Sequence, residues 1–259
     1  MFSIQHLIWL AISVCLIVAL SSVISRRRPS LNQILTSACV LAVISESIRL
    51  LTYIQMVPSA DGSALNLFIE WRHLPLHLCS VQLFLIFYVR FSESERRRET
   101  LLAFMYPTCI VGAAFALLLP SIFTNGIEPS EAFTSPIAYQ FFSYHSMLVV
   151  LGIAIARSDE VTIRFSHLFS TLAILGVFTL LSVYVNSAFA YVTYRGTQLL
   201  SVENTPNFFF TYRTPVGIQL TALWQWYVYL AILIALAVVL MTLFYLPFRT
   251  RPSKDGASS

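Results

Sequence analysis

Seven apolar runs, each about as long as the roughly 20 helical residues that cross a bilayer, recur along the chain. They extend from Ile4 to Ile24, Leu31 to Met56, Pro75 to Phe91, Leu101 to Pro120, Ile137 to Ala156, Phe165 to Phe189 and Ala222 to Leu246. Hydrocarbon offers no partner to a backbone amide, so segments of this kind fold as helices that satisfy their own hydrogen bonds. Charged side chains make up 11% of the chain and hydrophobic ones 57%, whereas soluble domains carry charges at about 25%. The expected fold class is therefore all-α: a polytopic membrane bundle of about seven transmembrane helices over residues 1–248, with a short polar cytoplasmic tail at 249–259. The sequence shows neither an internal repeat nor a second domain.

Basic residues set the expected orientation, because Lys and Arg are retained on the cytoplasmic side. Arg26, Arg27 and Arg28 follow the first run; Arg90, Arg96, Arg97 and Arg98 follow the third; Arg157 and Arg164 follow the fifth; Arg249, Arg251 and Lys254 follow the last. These alternate segments hold 12 of the 16 basic residues, which predicts an external N-terminus and a cytoplasmic C-terminus. The first run has no basic segment before it and reads as an uncleaved anchor. Topology accounts for the net charge of +4, leaving no nucleic-acid-binding patch. An integral protein of the plasma membrane, in a bacterium the inner membrane, is expected.

Within this apolar background the stretch from Arg72 to Gln82 places imidazoles, a thiol and an amide at the start of the third run. Ionisable groups at membrane depth are costly and mark candidate sites. Pro75 suits the first turn of a helix, where its missing N–H costs nothing, so Cys79 is expected about 6 Å below that end. His145 is expected about 12 Å down the fifth helix. Glu46 and Arg49 fall in the outer half of the second helix, and Asn186 near the outer end of the sixth. Together with His77 and Gln82 they form a polar layer at one depth, the pattern of a cavity open to the outer leaflet. The segment from Gly62 to Trp71 is expected as a short interfacial helix, since Leu65, Phe68 and Ile69 share a face.

Cys15, Cys39, Cys79 and Cys109 fall in four different runs with no CxxC pair, so neither a disulfide framework nor a thiolate zinc site is indicated. Cys79 stands apart through its neighbours: a thiol near a helix N-terminus with a histidine in reach is readily activated as a nucleophile. His145 is the candidate base, with a structural interhelical hydrogen bond as its plainer alternative. Metal is the rival chemistry, because His73 and His77, four residues apart, would share one helical face. Cys79 would then point about 200° from His77, so a third ligand would have to be Glu46 or His145. Glu46 and Arg49 are spaced to pair along one face; the plain reading is self-neutralisation, the functional one is that Arg49 holds an anionic group and Glu46 orients a histidine.

The run His73-Leu74-Pro75-Leu76-His77-Leu78-Cys79 with Gln82, the Glu46–Arg49 pair, His145 in its aromatic segment, and Asn207 to Pro215 followed by Trp224-Gln225-Trp226-Tyr227 together resemble the YwaF-type integral membrane proteins. The resemblance covers the second to seventh helices. That family usually reads Asn-Tyr-Met in its late segment, where this chain has Asn207-Phe208-Phe209. Animal relatives are cysteine-dependent acyltransferases acting on lysophospholipids, so the resemblance implies Cys79 as nucleophile and His145 as its partner, and it matches His77, Glu46 and Asn207 without assigning them a role.

The expectation is a membrane-embedded acyltransferase or lipid hydrolase that uses Cys79 and His145 on acyl esters from the outer leaflet. His77, Glu46, Arg49, Gln82, Asn186 and Asn207 would support the site or bind substrate, with Asn186, Gln82 or Asn207 as oxyanion donor. Phospholipids or lysophospholipids are the expected partners, and no cofactor or metal is expected. The alternatives are a transporter or binding protein with a polar outer cavity, or a metal-dependent membrane enzyme.

Overall fold

The computed structural model describes residues 3–59, 61–125, 127–196, 198–203, 206–215 and 217–249. All but Arg249 of the expected polar tail lies outside them. Each apolar run forms a helix: α1 (Ile4–Arg27), α2 (Leu31–Tyr53), α3 (Leu78–Phe91), α4 (Glu95–Leu118), α5 (Pro136–Arg157), α6 (His167–Ala188) and α7 (Leu223–Tyr245). Six of these are long and apolar enough to cross a membrane. The exception is α3, with 14 residues, about 21 Å at the helical rise.

The bundle is built around α4 and α5. Of their most apolar stretches 56% and 72% is buried, against 11% for α1 and 6% for α7, so the outer helices turn most of their apolar surface away from the protein. The loops rich in arginine meet at one end, where Arg157 donates to Ser25 Oγ, Arg98 to Asn32 Oδ1 and Arg90 to Thr36 Oγ1. At the other end Trp9 stacks on Phe142 (4.9 Å, 3°) and donates to the Ala132 carbonyl, while the buried His6 ring meets the Leu117 carbonyl at 2.9 Å.

Pro107 lies inside α4. It has no N–H to give to the carbonyl four residues back, and the hydroxyl of Tyr245 donates to that carbonyl, Ala103 O, at 2.7 Å. Tyr245 also shares a 2.8 Å hydrogen bond with Thr171, so one fully buried phenol joins α4, α6 and α7. Tyr245→Phe leaves a buried carbonyl unpaired, and the expected cost is about 1–3 kcal/mol. The check is a lower thermal unfolding midpoint of the purified protein in detergent, with the helical content before melting unchanged.

Three expectations are corrected. The segment from Gly62 to Trp71 is not a helix: Leu65–Phe68 (β2) pairs antiparallel with Gln55–Pro58 (β1), Gln55 opposite Phe68. The connection turns at Gly62 (φ +70°), with Asp61 accepting from Ser59 and Ser63. The second helix accordingly ends at Tyr53, short of Met56. Pro75 is not in the first turn of α3, which begins three residues later at Leu78. Leu74 is extended (φ −65°, ψ 145°), and so is His77, the N-cap (φ −72°, ψ 156°). A second short hairpin, β3 (Tyr191–Arg195) with β4 (Gln198–Glu203), follows α6.

Candidate active site

The late start of α3 rearranges the motif. His73 ends a single 3-10 turn (Trp71–His73) and His77 caps α3, so the two imidazoles do not share a helical face. His73 stacks on Tyr53 (3.7 Å, 11°), whereas His77 sits edge-on to Phe208 at 5.1 Å. Burial, with the positive Arg72 and Arg49 beside it and Glu70 opposing, pushes the His73 imidazole down to about 4, so it is neutral at pH 7. Among the described residues no three His, Cys, Asp or Glu side chains converge as a metal site.

Arg49 latches the irregular segment to α2. Its Nε donates to Glu46 Oε2 at 3.0 Å, and its Nη1 donates to the His73 carbonyl. The pair thus reaches beyond self-neutralisation, since it fixes the backbone four residues ahead of His77. A cavity of about 130 Å³ lies here, walled by Glu46, Arg49, Tyr53, His73, Pro75 and their apolar neighbours.

Cys79 occupies the second position of α3, whose N-cap side chain makes no capping bond. Its sulfur faces α4 at Gly112, where a Cβ would stand 3.4 Å from Sγ. Tyr144 on α5 donates to the Cys79 carbonyl at 3.0 Å. The next residue, His145, has Nδ1 2.7 Å from the Phe141 carbonyl. A carbonyl only accepts, so Nδ1 carries the hydrogen and Nε2 the lone pair. Tyr144 thus ties α5 to the first turn of α3, and Arg49 ties α2 to the segment ahead of it. Among the described residues no hydrogen bond joins Cys79 to either imidazole. The elements that carry Glu46 and Arg49 (α2), His77 and Cys79 (α3) and Tyr144 and His145 (α5) are nevertheless joined here by these bonds.

The three amides proposed as oxyanion donors are used in different ways. Asn186 on α6 clamps one peptide unit: Oδ1 accepts from Phe208 N (3.0 Å), while Nδ2 donates to Phe208 O (3.1 Å) and Thr211 Oγ1 (2.9 Å). Asn207 accepts from the amides of Tyr212 and Arg213 and donates to Arg213 O. Both are braces of the turn from Asn207 to Arg213. That turn needs bracing, because Phe209 and Phe210 both have φ of +56°, a left-handed conformation costing roughly 1–2 kcal/mol for each side-chain-bearing residue. Trp226 and Tyr229 of α7 add bonds to the carbonyls of Thr211 and Phe210. What the turn presents to the start of α3 is the pair of rings, Phe208 and Phe210, beside His77. Gln82, completely buried, lies instead on the seam between α3 and α4, its Nε2 donating to Thr108 Oγ1 at 3.0 Å.

Sequence reasoning missed Tyr144, Thr108 and Gly112. Tyr144 adjoins His145, and its hydroxyl in an apolar helix was a usable signal; Thr108 and Gly112 gain their meaning only from the packing of α4 on α3. No curated protein and no solved structure matches the chain. A family model does match, over residues 1–245. With its apolar helices and its polar cluster at the start of α3, this chain belongs to the TMEM164 family, whose members are membrane proteins.

Proposed function

We propose that this protein is a membrane-embedded acyl-transfer enzyme, with Cys79 as nucleophile and His145 as its base, acting on phospholipid acyl esters that reach it from the outer leaflet. The observation that carries this reading is that Tyr144, the neighbour of His145 on α5, holds the Cys79 carbonyl at 3.0 Å, while Arg49 ties α2 to the backbone just ahead of His77. The resemblance of the motif to YwaF-type proteins and their cysteine-dependent relatives supports it from the sequence. Cys79 stands in the first turn of α3, whose N-cap side chain makes no capping bond, so first-turn amides are left for an incoming oxyanion. His145 Nε2 takes the thiol proton as a general base, contacts of this kind tightening when substrate binds.

The thiolate then attacks the ester carbonyl. The carbon–oxygen ester bond breaks, and the departing lysolipid alkoxide takes the proton from His145. Since Asn186 and Asn207 are committed to backbone, the oxyanion falls to the first-turn amides of α3. A second lysolipid hydroxyl, or water, resolves the thioester through the same imidazole. The glycerol backbone stays at the membrane surface throughout and the acyl chain in hydrocarbon, which suits a plasma-membrane protein with its N-terminus outside and its α2–α3 end in the outer leaflet.

The test is mass measurement on purified protein quenched during turnover of phosphatidylcholine vesicles with an isotope-labelled acyl chain. The expected result is the acyl mass on the peptide carrying Cys79, released by neutral hydroxylamine as a thioester is. Turnover that never yields this adduct, and that continues after Cys79 is alkylated, would sink the covalent mechanism.

A further inference from the structure

Gln82 carries a feature that the acyl-transfer step leaves unused. It is three residues after Cys79 on α3, so the two share a helical face with their Cβ atoms about 5–6 Å apart. Both meet α4: Cys79 at Gly112 and Gln82 at Thr108, themselves one turn apart. The Thr108 hydroxyl donates to the Phe104 carbonyl at 2.7 Å, so its oxygen receives the Gln82 amide N–H and fixes which way the amide lies. Gln82 Oε1 is then a bare acceptor in the interior, with no partner among the described residues. Natural structures rarely leave such an atom without a use, and here an apolar side chain of the same shape would pack without the desolvation cost.

We infer that Gln82 Oε1 orients a water molecule beneath the thiol, and that the protein therefore has a hydrolytic branch beside transfer. The inference rests on the Cys79 reading. Water has two hydrogens, so one can be held by Gln82 while the other goes to the base; an alcohol has only one, which the base must take. In the hydrolytic step the water oxygen bonds to the thioester carbon and the carbon–sulfur bond breaks. One water proton passes through His145 Nε2 to the sulfur, and the other stays on the fatty acid. Transfer to a lysolipid hydroxyl does not need Gln82.

The experiment uses the full chain in phosphatidylcholine vesicles with a radiolabelled acyl chain and added lysophospholipid, scoring free fatty acid and transferred acyl chain separately in ¹⁸O water. Wild type is expected to release free acid carrying ¹⁸O. Gln82→Met is expected to lower that release by about tenfold, the worth of one lost hydrogen bond, while transfer changes by less than about twofold and the thermal midpoint does not fall. A purely structural glutamine would give the reverse, a lower midpoint with both products reduced together. Unchanged acid release in Gln82→Met, or transfer by wild type with no acid release at all, would overturn this inference and leave the Cys79 reading intact. Both products persisting in Cys79→Ala would overturn the two together.

Discussion

Cys79→Ala in the reconstituted protein will lower acyl transfer from labelled phospholipid by about 10³-fold or more, the scale on which loss of an attacking group acts. The reason is chemical rather than architectural. The side chain is small and only partly buried, and it faces a glycine on α4, so removing the sulfur leaves the fold in place. The thermal midpoint of Cys79→Ala should stay near wild type. Cys79→Ser keeps the shape but substitutes a weaker nucleophile, and a small residual rate is expected. A positional or binding role for Cys79 would instead let serine restore full activity. Substitution of the other three cysteines separates the thiol chemistry from nonspecific loss: Cys39 and Cys109 are buried and Cys15 is exposed on α1, and none is required by the mechanism.

How much of this was legible in the sequence depends on the range of the interactions involved. The helices were, because crossing hydrocarbon demands long apolar runs. The expected polar layer rested on counting residues down each helix, and the late start of α3 changes that count, making Cys79 its second residue. The break before α3 was only half legible: a residue before proline is disfavoured in the helical region, which separates His73 from any helix after it, but nothing local shows that α3 waits until Leu78 with His77 as its cap. The break matters, for a continuous helix would aim His73 and His77 the same way, whereas one stacks on Tyr53 and the other faces Phe208. The β1–β2 hairpin was hidden because Leu65, Phe68 and Ile69 also fit a helical face. The uses of the amides were beyond reach. Asn186, Asn207 and Gln82 look alike in sequence, and only tertiary contacts show two of them spent on a strained turn and the third holding a bare carbonyl.

The packing of α4 on α5 is tightest to substitution at one glycine. At Gly152 an added Cβ would stand 2.6 Å from Ile110 Cγ1, 2.8 Å from the Tyr106 carbonyl and 3.3 Å from Cys109 Cβ. The isoleucine can turn, but the carbonyl belongs to the backbone of α4 and cannot. Small residues at such seams allow helices to approach where apolar burial supplies little drive between them. His145 lies seven residues before Gly152, two turns along nearly the same face, while Cys79 reads its position from α4 through Gly112. Gly152→Ala will therefore force the seam apart and cost about 1–3 kcal/mol by overpacking, with Gly152→Leu costing more. The thermal midpoint of Gly152→Ala in detergent should fall well below wild type. Measured at a temperature where the variant is still folded, acyl transfer should also fall, because His145 moves away from the thiol without being altered. Gly176→Ala is the control: an added Cβ there meets nothing within 4 Å, and both midpoint and activity should hold. A Gly152→Ala protein as stable and active as wild type would mean that the α4–α5 seam is looser than the 2.8 Å approach requires, and that it does not set the geometry between Cys79 and His145.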